Sequence, residues 1–406
     1  MKKILYLSVF ALLSSCLTEK NADPGKPTTF VRYFNGGNSD EAQVAEETSD
    51  KGVIILGTTT ITNPDLTKKY RIKLIKTDEY GNFENQAVYP EKFDLNESIR
   101  GRALLQLPSG GFLVIGETID VTSGIAKMYI LEVGADLKQV TTTSKAIDFG
   151  VLVSPLLSIQ GQAVQINNNG NYLVLGSIQS PTDNMLLAEL DKSNLSVKWV
   201  KKYGAGTSTL SNKVFLDATS NVFWSGTVTR SSSDVRLVKT TQNSLNTLFD
   251  LPIGTPNFEE AGMDICRYGY GFAVVGSTNQ KTDGTAGDQD ILFKVLAEDG
   301  TELLSKSIEG YSDTDIGNSI CAVRGGIAIL GTVGVNGQDE YLLTKFDAFG
   351  NQVWNTARVF GNQTKNDTGA SVRQMSDGSL LILGTTVFGN VNTIMLMKAD
   401  SEGNIE

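Results

Sequence analysis

Short apolar runs that end in glycine recur along this chain. In each of seven runs the glycine is followed by a small polar or acidic residue. The glycines lie 59, 60, 50, 50, 55 and 53 residues apart. A period of about fifty residues is typical of folds that repeat one unit around an axis. The runs end at Gly57, Gly116, Gly176, Gly226, Gly276, Gly331 and Gly384.

The same strand and turn signals surround each run. A strand that begins with small residues, as in Gly369-Ala370-Ser371-Val372, leads into a polar turn such as Ser376-Asp377-Gly378 and then into the run. A variable loop, a third strand, a second turn and a fourth strand follow. The run is apolar throughout, which is typical of a strand buried on both faces. The pattern predicts an all-β, seven-bladed β-propeller with four antiparallel strands per blade.

The two ends of the chain predict how the ring closes. The last unit, residues 366–399, is followed by a turn but by no fourth strand. Residues 29–35, near the start, look like the fourth strand of the other units. We therefore predict that this N-terminal strand completes the last blade and covers an edge that would otherwise be exposed.

The repeat also resembles a known family. Its consensus is acidic-x-Gly-x-x-apolar, then Asp-Gly-x-apolar-apolar-apolar-Gly-Thr, then Lys-x-Asp-x-x-Gly-Asn-x-x-Trp. This resembles the repeat of seven-bladed propeller lipoproteins of Bacteroidota. Residues 366–384 and 339–361 match it best, and residues 205–257 match it least. The resemblance covers residues 28–406, implies the propeller fold as one domain, and carries no catalytic residues with it.

Composition excludes several classes of function. The chain carries 35 Lys and Arg against 45 Asp and Glu, a net charge of −10, and it has no basic stripe of the kind that binds nucleic acid. It contains no histidine. This removes the commonest general base, the commonest metal ligand and every Ser-His or Cys-His nucleophile pair. Chemistry based on Asp and Glu, or on Tyr and Arg, stays open.

The N-terminus predicts a lipid anchor. A basic Met1-Lys2-Lys3 segment precedes ten apolar residues and then Leu13-Ser14-Ser15-Cys16, which resembles a bacterial lipobox. We predict that residues 1–15 form a lipoprotein signal peptide, that Cys16 carries the lipid, and that residues 16–27 form a flexible tether. Residue 17 is Leu and not the Asp that resembles an inner-membrane retention signal, which favours the outer membrane. The charges of Glu19 and Lys20 favour the cell surface over the periplasmic face.

Two further cysteines, Cys266 and Cys321, each lie ten residues before the glycine of their unit. They therefore occupy the same place in the innermost strands of adjacent blades. A disulfide or a metal pair is one interpretation. Small buried residues in equivalent positions are the other, and we favour it because zinc requires more ligands.

Acidic residues crowd one face of the predicted ring, where first strands start and where second strands turn into third strands. Repeated acidic residues are typical of side chains that bond backbone amides in turns. They could also bind a cation such as calcium or the basic part of a partner. Glu117 and Asp120 could contribute to a glycosidase-type carboxylate pair on this face. The candidate binding residues are Asp283, Asp288, Asp290, Asp313, Asp315 and Asp367.

Three functions follow as hypotheses. The first is a non-enzymatic, lipid-anchored propeller that binds a protein partner within an outer-membrane complex, or an extracellular ligand, without a cofactor. The alternative is a polysaccharide-active hydrolase or lyase that uses Asp/Glu or Tyr/Arg in the central funnel. Two convergent carboxylates with aromatic neighbours in that funnel would favour the enzyme. The third is a purely structural surface protein, which shares every sequence feature of the first.

Overall fold

The computed structural model describes residues 29–62, 67–90, 97–140, 142–150, 157–179, 184–204, 209–217, 221–229, 232–241, 246–309, 311, 314–347, 349–354, 356–361 and 364–405. Cys16, the signal peptide, the tether and Asp313 lie outside these residues. Within the described ranges, no helix has the length and apolar character needed to cross a membrane.

In the described part of the chain, twenty-eight strands form seven four-stranded antiparallel sheets, each one a blade. The innermost strands are β2 (Ser39–Glu47), β6 (Glu97–Gln106), β10 (Ser158–Ile166), β14 (Thr209–Leu216), β18 (Glu260–Tyr268), β22 (Ile316–Val323) and β26 (Thr368–Gln374). The second strands are β3 (Val53–Thr62), β7 (Phe112–Asp120), β11 (Tyr172–Gln179), β15 (Asn221–Thr229), β19 (Gly271–Gln280), β23 (Gly326–Val335) and β27 (Leu380–Phe388).

The outer half of each blade completes the sheet. The third strands are β4 (Lys68–Thr77), β8 (Ala126–Val133), β12 (Asn184–Leu190), β16 (Ser233–Thr241), β20 (Ala286–Leu296), β24 (Gln338–Phe346) and β28 (Val391–Ala399). The outermost strands are β5 (Phe83–Tyr89), β9 (Lys145–Ala146), β13 (Val197–Tyr203), β17 (Thr247–Ile253), β21 (Glu302–Ile308), β25 (Arg358–Phe360) and β1 (Phe30–Phe34). Blades 1 to 7 follow chain order from β2, so the predicted seven-bladed propeller is confirmed.

The N-terminal strand closes the ring as predicted. β1 is the outermost strand of blade 7 and pairs antiparallel with β28, with Phe30 opposite Lys398. It also reaches blade 1, because the buried Phe30 ring packs against Gly81 so closely that a Cβ there would lie 2.5 Å from it. Arg32 Nη2 donates to the carbonyl of Tyr80, at 3.1 Å, in the same turn. The strand therefore joins the last blade to the first.

The apolar second strands result from packing between blades. Seven hydrophobic clusters lie among the described residues, and each fills one junction between neighbouring blades. Within β3, Ile54 and Leu56 belong to the cluster shared with blade 2, whereas Val53 and Ile55 belong to the cluster shared with blade 7. Both faces of the strand are thus buried, which is why every position of the run is apolar.

The recurrent Asp-x-x-Gly-Asn sequence builds the turn between third and outermost strands. Asp78 Oδ1 accepts the backbone amides of Tyr80 and Asn82, at 2.9 and 2.8 Å, and its Oδ2 accepts Asn82 Nδ2 at 2.9 Å. The same three bonds form around Asp347 and Asp400. These aspartates therefore stabilise turns, as Asx turns generally do.

A β-bulge interrupts every innermost strand at the same point. The small residue opposite the repeated glycine, such as Gly101 opposite Gly116, is followed by one extra residue before pairing resumes. The shift recurs in the other six blades. The bulge brings the carbonyl of Arg100 to 1.9 Å from where a Cβ on Gly116 would lie. This contact explains the glycine that ends the apolar run.

Candidate ligand-binding channel

The seven innermost strands surround a central cavity of about 580 Å³. Residues from all seven blades line it, including Gln43 of blade 1 and Arg373 of blade 7. A volume of this size lies within the range of small-molecule sites in proteins. We call this cavity the channel.

The bulged residues form a ring around the channel. Each is the extra residue of its innermost strand, so the bulge aims its side chain towards the axis. Four carry side-chain amides, one is basic and two are apolar. This bulge ring consists of Gln43, Arg102, Gln162, Asn212, Met263, Asn318 and Ala370.

The charged side chains of the channel pair with one another or with buried neighbours. Asp264 of blade 5 forms an ion pair with Lys213 of blade 4 and accepts Ser319 Oγ of blade 6 at 2.9 Å. Although burial opposes it, the charge of Lys213, followed by that of Arg373, lowers the pKa of Asp264. Arg373 in turn donates its Nε to Glu46 at 2.9 Å. Together with a 3.5 Å hydrogen bond from Arg373 Nη1 to Ser319 Oγ, these bonds connect blades 4, 5, 6, 7 and 1 around the channel.

Arg102, the cation of the bulge ring, is also engaged. Its Nη2 and Nε donate to the two carboxyl oxygens of the buried Glu117, at 2.8 and 3.1 Å. Glu47, the remaining carboxylate of the lining, accepts the backbone amide of Ser376 at 2.7 Å and its hydroxyl at 2.6 Å. Each of the six charged groups that line the channel therefore has a partner.

Two amides of the bulge ring differ from the other polar groups. Asn212 donates to the carbonyl of Gly262, and Asn318 accepts the hydroxyl of Thr332 at 2.7 Å. The side chains of Gln43 and Gln162, which are half-buried, make no hydrogen bond with any described residue. Their donors and acceptors are thus available to a molecule in the channel.

The acidic residues predicted from the 277–290 segment lie on an extended hairpin. β19 and β20 continue to a turn at residues 281–285, so much of this segment is strand. Asp283 is exposed and accepts the backbone amide and hydroxyl of Thr285, at 3.0 and 2.6 Å. Asp288 and the buried Asp290 both pair with Lys281, the latter at 2.8 Å. The fold brings these two together and leaves Asp283 apart.

The acidic residues at the starts of innermost strands are buried at blade junctions. Asp315 has no exposed surface and accepts the backbone amide of Gly334 at 3.2 Å. Asp367 is equally buried, on the blade 6 to blade 7 junction. Contact of the candidate residues with a partner or a cation stays a prediction. Among the described residues, no group of three or more acidic or cysteine side chains suits a metal ion.

Asp367 lies against a second carboxyl group, that of Glu340. A Cβ on Gly361 would lie 1.6 Å from Glu340 Oε2 and 2.4 Å from Asp367 Oδ2, so these oxygens are within about 4 Å of each other. Glu340 is 1 % exposed, and no N–H or O–H donor among the described residues reaches its carboxyl oxygens. Burial, followed by the charge of Asp367, raises the pKa of Glu340 to about 7.

Within other blades, a lysine lies beside the carboxylate at the start of the innermost strand. Lys73 pairs with Asp40 at 2.6 Å, and Lys294 pairs with Glu260 at 3.0 Å. Among the described residues no such cation pairs with Glu340. Two carboxyl groups this close hold a proton more readily than either would alone.

We expect Glu340→Gln to stabilise the protein at alkaline pH. Because the pKa of Glu340 rises from 4.5 to about 7 on folding, the native wild type binds a proton that the unfolded chain has lost, and its stability falls as pH rises through that interval. Glutamine does not titrate. By about pH 8 the free energy of unfolding of the variant should exceed that of the wild type by on the order of 2 kcal/mol. This figure is smaller than the full pKa change implies, because solvent partly screens the charges.

Urea unfolding at about pH 5 and about pH 8 measures this difference. Glu402→Gln is the matched control, since that side chain is exposed and the change should affect stability little. A Glu340→Gln difference that is the same at both pH values would contradict a shared proton.

The two cysteines are free. Cys321 packs in the cluster between blades 6 and 7, and Cys266 packs against the cluster between blades 5 and 6. Burial raises the pKa of both thiols to about 12. Cys321 is buried as expected, whereas Cys266 is only half-buried. Thiols with such pKa values are unreactive, which agrees with the interpretation of both as small packing residues in equivalent positions.

The carboxylates considered for glycosidase chemistry do not converge. Glu117 is bound by Arg102, whereas Asp120 is exposed and accepts the amides of Thr122 and Ser123 at 2.8 Å. Asp367 lies at another blade junction. The bulge ring was not predicted from the sequence. Its signal is present, however, because each ring residue directly follows the small residue that pairs with the repeated glycine.

Comparison with known proteins supports the fold. No protein-family model matches the chain, and no curated protein matches it in sequence. The polysaccharide lyase Uly1 superposes with a TM-score of 0.53 at 10 % identity, covering 95 % of this chain and 94 % of the lyase. An ulvan lyase of family PL25, bound to -[GlcA(1-4)Rha3S]-, gives 0.55 at 10 % identity, covering 92 % and 97 %.

A protein of unknown function from Bacteroides caccae is also similar, at 14 % identity and a TM-score of 0.41, covering 79 % of this chain and 94 % of that protein. The similarity to the two lyases, at 10 % identity, extends to the fold alone, and a fold of this kind supports many unrelated functions.

Proposed function

We propose that this protein is a non-enzymatic binding protein, lipid-anchored through Cys16 to the outer membrane and facing the cell exterior, which takes an extracellular ligand into its channel. The observation that carries the proposal is the channel itself. It has the volume of a ligand site, its polar bulge ring is contributed by seven blades, and two ring amides are unbonded. Rigid scaffolds that present such concave sites are typical of binding proteins.

The electrostatics of the channel favour binding over catalysis. A hydrolase needs two convergent carboxylates, one of them with a raised pKa. Here Glu46, Glu47 and Asp264 are each held by a cation or by hydrogen-bond donors, and the pKa of Asp264 is lowered. No aromatic side chain lies among the described lining residues. Likeness of fold to polysaccharide lyases does not bring their chemistry with it.

A protein partner in the outer membrane would contact the exposed hairpin turn. Asp283 in the turn and Asp288 next to it on β20 present exposed carboxylates, and loops on rigid scaffolds are common sites of recognition. Replacing Asp283 with Asn leaves the Lys281 pairs intact, so loss of a co-purifying outer-membrane protein in this variant would assign the contact. Unchanged recovery would restrict the proposal to the channel.

The test of binding uses the full-length lipoprotein in detergent. Soluble neutral and acidic polysaccharides are cast into native gels, and migration of the wild type is compared with that of Met263→Trp, which places a larger side chain on an exposed ring position. We expect at least one polysaccharide to retard the wild type more than the variant, with no shortening of the polymer in solution. Polymer shortening that the variant abolishes would establish an enzyme instead. Absence of channel-dependent retardation would also contradict the proposal.

Replacing Cys16 with alanine is expected to release the protein from the membrane fraction or leave its precursor unprocessed. The thiol of Cys16 is the only attachment point that the lipobox resemblance offers for a lipid. Membrane fractionation and the mass of the mature N-terminus measure the effect. Ser15→Ala serves as the control, since small residues are accepted before the cysteine. Unchanged membrane association of the Cys16 variant would place the anchor elsewhere.

A further inference from the structure

The unbonded groups of the channel define a particular chemistry. Gln43 of blade 1 and Gln162 of blade 3 flank Arg102 of blade 2, so they lie on one side of the bulge ring. A carboxamide offers two donors and an acceptor at once. Hydroxyl groups, which both donate and accept, are the matching partners. This side of the ring therefore suits a ligand that carries several hydroxyls.

The charges of the channel disfavour an ionic ligand. The lining contains three acidic and three basic side chains, and each has a partner. An acidic ligand would need a cation, and taking Arg102 would leave the buried Glu117 without its two hydrogen bonds. Leaving a buried charge unpaired is strongly unfavourable. The same argument applies to a basic ligand at Asp264. The ligand that fits is neutral.

The opposite side of the ring adds apolar contact. Met263 of blade 5 is 45 % exposed on that side, whereas Ala370 of blade 7, which adjoins blade 1, adds a methyl group next to Gln43. Val44 and Ala163 border the two free amides. A sugar ring has hydroxyls along its edge and C–H groups on its faces, so it can use both sides. The flexible thioether of Met263 can adjust to such a face.

We infer that the channel binds a neutral, hydroxyl-rich oligosaccharide, which Gln43 and Gln162 hold by hydrogen bonds from one side of the bulge ring. This inference rests on the proposed function and names its ligand class. It differs from the acidic polymer named for the ulvan lyase complex, because the described lining residues of the channel include no unpaired cation for a uronate.

Calorimetric titration of the full-length lipoprotein tests the inference. The probes are neutral hexasaccharides of glucose in α and β linkage, of mannose and of xylose, with hexagalacturonate as the acidic counterpart. At least one neutral probe should bind, and the acidic probe should bind at least tenfold more weakly. Gln43→Ala and Gln162→Ala should each weaken binding about tenfold, as expected for one lost hydrogen bond. Gln86→Ala, on the exposed outermost strand β5, is the matched control and should change nothing.

The outcomes separate the two proposals. Preferential binding of the acidic probe, abolished by Met263→Trp, would overturn the neutral ligand class while leaving a binding channel in place. Neutral binding that is unaffected by either glutamine change, yet lost in Met263→Trp, would overturn the role of the two amides. If no neutral probe binds, the inference is overturned. If probe binding persists in Met263→Trp and Gln162→Trp, the channel is not the binding site, and the proposed function fails as well. Thermal unfolding of every variant checks that the ring is intact.

Discussion

Replacing Phe30 with alanine is expected to lower the free energy of unfolding by about 3 to 5 kcal/mol. The Phe30 side chain is 4 % exposed and lies in the cluster between blades 7 and 1, in contact with Gly81. Its removal leaves a cavity where the last blade meets the first. Because Phe30 also anchors β1 on β28, the variant should weaken closure of the whole ring. Urea unfolding followed by tryptophan fluorescence measures the change.

Tyr33→Ala on the same strand provides the control. Tyr33 is 55 % exposed and should contribute less than about 1 kcal/mol. Deleting residues 28–37 removes all five β1 pairs and uncovers the edge of β28, so it should destabilise the protein more than Phe30→Ala and promote aggregation. A Phe30→Ala variant as stable as Tyr33→Ala would show that the strand does not hold the ring closed.

Replacing Gly116 with alanine should destabilise the protein by about 3 kcal/mol. The new methyl group would lie 1.9 Å from the backbone carbonyl of Arg100, which cannot move without disturbing the bulge that aims Arg102 into the channel. Thermal and urea unfolding measure the loss of stability, and the titration with neutral hexasaccharides measures its effect on the ring.

Gly262→Ala is the matched control for this change. A Cβ at Gly262 would meet its nearest atom, on Val235, at 3.4 Å, which is ordinary contact. Alanine also stands naturally at the equivalent position of blade 1, as Ala42. The control should therefore be within about 1 kcal/mol of wild type. Equal effects of the two substitutions would mean that the bulge carbonyl does not impose the glycine.

The sequence predicted the fold from features that repeat. Gly116 and its equivalents marked seven blades, and residues 29–35 matched the outermost strands. Each of these two sequence patterns reflects contacts within one repeating unit, so it can be recognised from the unit alone. The bulge escaped prediction for a physical reason. It depends on which residue of β6 faces which residue of β7, and the pattern of small residues does not state that register. Gln43 and Gln162 were thus indistinguishable from ordinary strand amides.

The acidic candidates show a different limit. Asp283 and Asp367 carry the same side chain, and one is exposed while the other is buried. The difference arises because Asp367 lies at the start of an innermost strand, where the preceding blade covers it. Its closest carboxyl neighbour, Glu340, belongs to the third strand of that preceding blade. Burial and charge coupling between blades become visible only after the ring is assembled.

The pairing of β1 with β28 also sets the order in which the molecule can mature. Phe30 is among the first residues of the ring to be synthesised, and its partner Lys398 is among the last. Such non-local contacts form slowly, since the intervening chain must be ordered first. During synthesis, β1 therefore stays unpaired until β28 of blade 7 has been made. A polypeptide truncated before β28 cannot close the ring, so its strand edges stay unpaired and its apolar strands stay uncovered. Such a polypeptide is a better substrate for proteases than the closed ring. Closure by β1 and β28 therefore distinguishes a finished propeller from an unfinished one.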